Sequence, residues 1–259
     1  MPSGSQEPTL DRGPDLAVEQ ELLEHGYAGV VGMDEVGRGA LAGPVTVGAT
    51  WVPPGLALAV EGLTDSKALS PARRRNMVPK ILDWVVAATG SSTPQEIDEL
   101  GITQALRLAG MRAMDQLCSR VGRSTILASA VLLDGRDDWL TRARDLLSAL
   151  EPDPLARHRS ENDVWDLPVT MQVKGDFRCA SISAASVVAK VERDDVMVEL
   201  SEDHPMYAWD RNKGYGSSSH RDGILRCGPC AEHRLSWSLG ASEAQIRAAL
   251  RTRELRPGT

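Results

Sequence analysis

The sequence predicts an α/β fold: a mixed sheet flanked by helices, with a helical extension at the C-terminal end. Three observations lead there. Short β-branched runs come early and in close succession, GVVGMDEV, PVTVGATWV and WVVAATGS, as the strands of a meander do. Two later apolar runs, STILASAVLLDG and LPVTMQVKGD, close on an Asp beside a Gly, as buried strands that deliver a carboxylate to their C-terminal edge would. Segments of helical spacing lie between and after these runs. Strands first in a meander and later alternating with helices give a mixed sheet covered by helices.

Taken in order, residues 1–14 are rich in Pro, Gly and Ser and read as a disordered tail, followed by a short helix over Leu16 to His25. The main domain is expected to span 15–200. A Gly-rich turn separates the first two strands, and WVVAATGS is the third. Thr93-Pro94-Gln95-Glu96 places a capping hydroxyl, a first-turn proline and a reciprocating carboxylate ahead of Ile97, Leu100, Ala105, Leu106 and Ala109, which marks a helix start. Residues 137–166 are expected to be an inserted surface loop, with a helical stretch around Trp139 to Leu150 and an acidic, mobile remainder, EPDPLARHRSEND. SISAASVVAKVERDDVMVEL carries small and apolar residues as a helix packed on the sheet does. Residues 201–259 form the helical C-terminal part, ending in an amphipathic helix from Gln245 to Leu255.

Composition narrows the class of protein only a little. The chain has 259 residues, 42% of them apolar and 25% charged, ordinary for a globular protein of one large domain or one with a small appendage. No stretch approaches a membrane span, and the first residues lack the charged start and apolar run of a signal peptide, so a cytoplasmic location is expected. Four cysteines do not make a disulfide framework at this size. The net charge of −7 sits awkwardly with a nucleic-acid partner, which usually leaves a basic footprint. Positive charge is nevertheless clustered, in Arg73 to Arg75 and in Arg211, Lys213, His220, Arg221 and Arg226. Carboxylates that hold a metal also count against the sum.

The chemical signal is a set of carboxylates at strand ends: Asp34 and Glu35 after the first strand, Asp134 after the fourth and Asp176 after the fifth. Ends of neighbouring strands converge on one crevice, so residues distant in sequence meet there. Acids without His or Cys among them suit Mg²⁺ or Mn²⁺, and two such ions about 4 Å apart clamp the attacking and leaving oxygens of a phosphodiester. Any one of these acids alone reads as a turn residue beside its glycine. Adjacent strand residues point to opposite faces, so Glu35 is expected where the strand has ended or bulged, with Gly37 and Gly39 around Arg38 permitting the turn.

The blocks GMDEVGRGALAGPV, DSKALS, LLDG, KGD, SISAASVVAKVERD, NKGYGSSSH and CAEHRLSW, spread over about residues 29–237, resemble the successive signatures of type 2 ribonuclease H of the bacterial kind. Type 3 enzymes carry a pattern like DESGKGD at the first block, so Val36, Arg38 and Ala40 favour type 2. The resemblance implies a ribonuclease-H-like catalytic domain with a helical substrate-binding part over 201–259. It also implies two divalent cations, Mn²⁺ or Mg²⁺, and cleavage of RNA in RNA/DNA hybrids. Cutting would fall 5′ of single ribonucleotides in duplex DNA, leaving 3′-hydroxyl and 5′-phosphate ends, in ribonucleotide removal and RNA primer removal. Carried over by position, the catalytic and metal-holding acids are Asp34, Glu35, Asp134 and Asp176, with Asp34 bridging both ions. The backbone of Gly37, Arg38 and Gly39 would read the 2′-hydroxyl in the minor groove, Tyr215 would stack on the next sugar, and Lys67, Lys174 and the turn from Ser183 to Ser186 would meet phosphates. His220 stands close enough to Tyr215 to touch substrate. A monomer without membrane association is expected. Two departures stand out: Arg136 occupies a position where the family often has Asn, and the connection from Asp134 to Asp176 is long.

Two other readings compete. Cys227-Gly-Pro-Cys230 has the letters of a thiol-disulfide site, but it lacks the strand-to-helix setting that chemistry needs and has no second ligand pair for zinc. An inert nucleic-acid-binding module on the same fold would have no use for all four acids.

Overall fold

The computed structural model of the chain describes residues 13–142, 152–158, 165 and 167–255. The mixed sheet expected from the sequence is present, with strands β1 (Val30–Val36), β2 (Val45–Val52), β3 (Val86–Ser92), β4 (Ala130–Asp134) and β5 (Val169–Gln172) in the order β3-β2-β1-β4-β5. The first three pair antiparallel, and β4 and β5 join parallel on the other side of β1. Around the sheet lie α1 (Ala17–Glu24), α2 (Pro71–Trp84), α3 (Pro94–Val121), α4 (Arg123–Leu127), α5 (Gly175–Arg178) and α6 (Ala180–Asp203). The helical C-terminal region follows as α7 (Trp209–Asn212), α8 (Ser218–Cys227) and α9 (Glu243–Glu254).

Strand alternation divides the core into two faces. Val31, Met33, Val47 and Val131 pack with α3 in the larger cluster. Val30 and Leu132 pack with Ile182 of α6 on the opposite face. Helix α6 lies so near the sheet that only glycine fits beneath it at two points. A Cβ at Gly32 would stand 2.4 Å from the Ser181 side chain, and one at Gly48 would stand 2.2 Å from the Ala185 carbonyl oxygen. The run of Ala and Ser in α6 is the matching half of that approach. Thr50, facing the same helix, donates its hydroxyl to the Ser181 carbonyl at 2.8 Å, so the polar group is satisfied inside the core.

The start of α3 follows the sequence rule. Thr93 Oγ1 accepts from the Glu96 amide and the Glu96 carboxylate accepts from the Thr93 amide, a reciprocal cap worth about 1 kcal/mol. Gly101, at φ 74°, breaks the helix before its buried stretch, which begins at Ala105.

Several boundaries differ from expectation. Ser124 to Leu127 belong to α4, and β4 begins only at Ala130. Trp84 ends α2 with its indole donating to the Ala57 carbonyl, so the third strand starts at Val86. β5 is an edge strand with Thr170 and Met171 exposed, because only β4 covers it. Residues 1–12 of the expected tail lie outside the described residues, whereas Pro14 is buried and Asp15 bridges to Cys179. In the connection 137–166, residues 143–151, 159–164 and 166 lie outside the described residues, and with them most of the helical stretch expected from Trp139 to Leu150. Trp139 and Leu140 themselves are not helical. What is described of this connection is anchored rather than loose on the surface. Trp139, Leu140, Leu155 and Trp165 enter the main core, and Arg107 donates twice to Asp153 at 2.8 Å.

Candidate active site

The same alternation explains how the acids meet. Asp34 shares the face of Gly32, toward α6, and Asp134 shares the face of Leu132. The parallel ladder between β1 and β4 ends at the pair Met33 and Leu133, so Asp34 and Asp134 are the next residues on adjacent strands, side by side where the strands part. Beyond β5, Lys174 adopts a left-handed conformation at φ 58° and turns the chain into α5. That turn brings the Gly175 amide to Asp134 Oδ1 at 2.7 Å and puts Asp176 into the first turn of the helix, rather than on the strand end. Carboxylate oxygens of Asp34, Asp134 and Asp176 all lie within 4.8 Å of one another; among the described residues no other group of His, Cys, Asp or Glu comes together in this way.

Glu35 departs from the expectation. β1 neither ends nor bulges there, since Asp34, Glu35 and Val36 pair in regular register with Gly48, Val47 and Thr46 of β2. Glu35 therefore alternates away from the three aspartates. Its carboxylate lies 3.3 Å from Arg38 Nη1. It still lines the same cavity, about 330 Å³, with Asp34, Ser66, Lys67, Ser186, Lys190 and Tyr215.

Burial pushes the Asp34 carboxyl well above the usual carboxylate range, and the neighbouring Glu35, Asp134 and Asp176 push the same way against a stabilising hydrogen bond from Ser186. Asp176 is raised to about 6, by burial first and then by Asp134 and Asp65. Burial likewise raises Glu35, although Arg38 opposes it. Lys67 Nζ, 3.7 Å from Asp176 Oδ2, stands by this group as a cation. Burial alone would lower its pKa, but Asp65, Asp34 and the other acids outweigh burial and raise it. Carboxylates brought so close and left short of positive charge, with oxygen as their only donor atom, fit a divalent cation of the hard kind.

The other predicted residues fall into two groups. Lys67, Lys174, Arg38 and Gly39 are exposed near the acids, and Tyr215 is 38% exposed in the shared cavity. Gly37 is buried at φ 87°, where a Cβ would run into Arg193 at 2.0 Å. Ser183 and Ser186 do not form a turn; both lie inside α6 and are buried. The Ser183 hydroxyl is enclosed without a hydrogen-bond partner, so it does not face a phosphate, while Ser186 bonds Ser66 at 2.9 Å beside Asp34. His220 is wholly enclosed and does not reach solvent: its ring meets Trp209 and His233, and its Nδ1 meets the Tyr215 carbonyl at 2.9 Å. Burial lowers the pKa of His233, to about 3, and of His220, as in neutral core groups. The cysteines are free, with Cys227 exposed at the end of α8.

Sequence reasoning assigned no role to two fully buried arginines. Arg193 of α6 donates to the carbonyls of Pro44, Lys213 and Ala42 and lies 5.5 Å from the Tyr215 ring, joining the loop after β1 to the loop of the tyrosine. Arg234 gathers carbonyls of the first loop from the C-terminal side. The signal available for Arg193 was its spacing, four and eight residues after Ala189 and Ala185, which puts it on the face of α6 that the small residues bury.

A mixed sheet opening onto three aspartates beneath a helix of small residues defines a nuclease of the ribonuclease H type. Solved structures share the architecture at low identity: Bst-RNase HIII in complex with Mn²⁺ matches with TM-score 0.60 at 22% identity over 98% of this chain and 78% of that one. The RNase HII solved in complex with PCNA from Archaeoglobus fulgidus matches with TM-score 0.56, also at 22%, over 81% of this chain and 95% of that one. The family model for Ribonuclease HII matches residues 31–239. Ribonuclease HII of Streptomyces griseus is 43% identical over 87% of this chain and 84% of its own length, and that of Zymomonas mobilis 39% over 92% and 95%. The chain belongs to the ribonuclease HII family, endoribonucleases that cleave RNA/DNA hybrids.

Proposed function

We propose that this enzyme cuts 5′ of a single ribonucleotide embedded in duplex DNA, as well as RNA in longer hybrids, leaving 3′-hydroxyl and 5′-phosphate ends. It would serve ribonucleotide and RNA primer removal as a cytoplasmic monomer, with two Mn²⁺ or Mg²⁺ ions. The observation that carries this reading is the cavity lined by both Asp34 and Tyr215, in which a carboxylate suited to a metal ion and an aromatic ring suited to a sugar come together.

Asp34, Asp134 and Asp176 would hold the cations, with Glu35 at the cavity edge. Bound there, divalent ions supply an activated water and neutralise charge on the phosphate. Asp134 is held in place by the Gly175 amide, Lys67 would offer a cation to a neighbouring phosphate, and Lys174, exposed just before α5, would offer a second. Arg38 and Gly39, exposed two and three residues after Val36 of the cavity lining, would offer their backbone to the 2′-hydroxyl of one ribose, the mark that separates RNA from DNA. Lone hydroxyls carry little discriminating energy, so the sugar on the 3′ side must be checked too. Tyr215 does so by shape, as a 2′-hydroxyl on that second sugar would collide with the ring or lose its hydrogen-bond partners.

Cleavage of a duplex with one ribonucleotide, run with Mn²⁺ and again with EDTA, tests the activity. Tyr215→Ala tests the reading of the junction. A folded variant should lose much more on the single-ribonucleotide duplex than on a continuous hybrid, where most cut sites have no RNA-to-DNA junction. Equal loss on both would remove that role.

A further inference from the structure

Of the two buried arginines under the loop after β1, Arg234 holds the stretch that carries Gly37 and Arg38. Arg234, fully buried, donates from Nη2 to the Gly37 carbonyl at 2.6 Å and from Nη1 to the Arg38 carbonyl at 2.8 Å. It also reaches the carbonyls of Gly43 and Pro44 at 3.3 Å and lies 4.8 Å from the Trp237 ring centroid. All of these hydrogen bonds end on backbone oxygen. A buried guanidinium spent wholly on one loop fixes the direction of that loop's peptides.

The direction has a consequence on the other side. In a planar trans peptide the carbonyl and the following amide point opposite ways, and no cis peptide occurs among the described residues. Drawing the Gly37 and Arg38 carbonyls inward therefore sends the N–H groups of Arg38 and Gly39 outward. These residues are exposed, and a Cβ at Gly39 would meet nothing within 4 Å. The following amides are all used: Ala40 donates to Gly37, Leu41 and Ala42 to Gly214, and Gly43 to Glu232. Those of Arg38 and Gly39 have no acceptor among the described residues. Two adjacent outward donors on a surface open to close approach make a site for one oxygen atom.

We propose that Arg234 is the positioning residue for ribose recognition: by holding the Gly37 and Arg38 carbonyls inward, it aims the Arg38 and Gly39 amides at the 2′-oxygen of the substrate. This rests on the reading of the loop as the ribose reader. The cation also polarises the peptides it holds, which makes the opposite amides better donors. Arg234 is steadied in turn by its neighbours. Its own amide donates to the Leu41 carbonyl, and the Leu235 and Ser236 amides donate to Asp98, which Arg253 of α9 also engages at 2.8 Å.

The test measures binding without turnover, in the full chain carrying Asp134→Asn. Affinities for a duplex with one ribonucleotide and for the same duplex all in DNA give a ratio that general loosening of the fold leaves unchanged. The parent is expected to prefer the ribonucleotide about fivefold, in keeping with one or two hydrogen bonds, and adding Arg234→Met should bring the preference below twofold. If the parent shows no preference, the loop does not read ribose and both ideas fall. Should the parent discriminate and the folded Arg234→Met variant discriminate equally, the loop reads ribose without help from Arg234 and only the present proposal is overturned. Arg234→Lys serves if the Met variant does not fold. It keeps the charge but cannot span both carbonyls, so an intermediate preference is expected and an undiminished one refutes the role.

Discussion

Among single residues, the aspartates carry opposite obligations to stability and to function. Asp176 titrates at about 6 in the folded chain, against an ordinary value of 3.8, so the metal-free native state binds this proton more tightly than the unfolded chain does. A carboxylate raised in this way contributes stability below its unfolded pKa and loses it as the pH rises through the folded value. Metal-free protein is therefore expected to melt at higher temperature near pH 5 than near pH 7.5. Asp176→Asn should stabilise the metal-free fold at pH 7.5, by on the order of 1–3 kcal/mol, and so raise its melting temperature; calorimetry across pH checks both, and a flat profile in the parent would contradict the shift. Asp134→Asn should abolish cleavage while duplex affinity stays within about tenfold, because on the proposed reading it removes a metal ligand and leaves Lys67, Lys174 and Arg38 in place. Cleavage and gel shift on one preparation decide that. Asp34, Asp134 and Asp176 were legible in the sequence because each follows an apolar run. Glu35's regular place in the β1–β2 ladder and the burial of Ser183 and His220 were not, since they depend on which strands and helices become neighbours.

At the scale of elements, close approach between α6 and the sheet is the feature that orders the site. Gly48 faces the Ala185 carbonyl oxygen so closely that even a methyl group would stand 2.2 Å from it, and backbone cannot swing aside as a side chain can. Gly48→Ala is expected to destabilise by several kcal/mol, as overpacking of a rigid core does, and to depress activity by lifting the helix that carries Ser186 and Lys190. Thermal melting checks the first part, and an alanine tolerated within 1 kcal/mol would show that the helix can shift. The sequence announced this helix by its small residues and announced α3 by its capping box, since both signals are local. It misplaced the start of β4 and the exposure of β5, because Ser124 to Leu127 are apolar enough for either state and an edge position is set by which strands happen to be neighbours.

For the whole molecule, net charge is a poor guide to the binding face. The chain carries −7 overall, yet Lys67, Lys174 and Arg38 stand exposed around the acids. Binding to duplex should still weaken steeply with salt: two phosphate contacts give about a tenfold loss between 50 and 200 mM. A salt-independent affinity, measured by fluorescence anisotropy, would mean that these cations do not meet phosphates. The parting of β1 from β4 beyond Met33 and Leu133 has a last consequence, in time rather than in space. β1 and β2 pair across the short connection 37–44 and β3 joins after α2, but Asp134 comes to Asp34 only when β4 has crossed in parallel from 100 positions away. Asp176 needs a second such crossing. Non-local parallel pairing of this kind forms late, so a chain refolding from denaturant is expected to gain its helices and the β1–β2 hairpin before its three aspartates meet. Recovery of cleavage during refolding is therefore expected to trail the recovery of helical signal, and simultaneous recovery of the two would contradict this order.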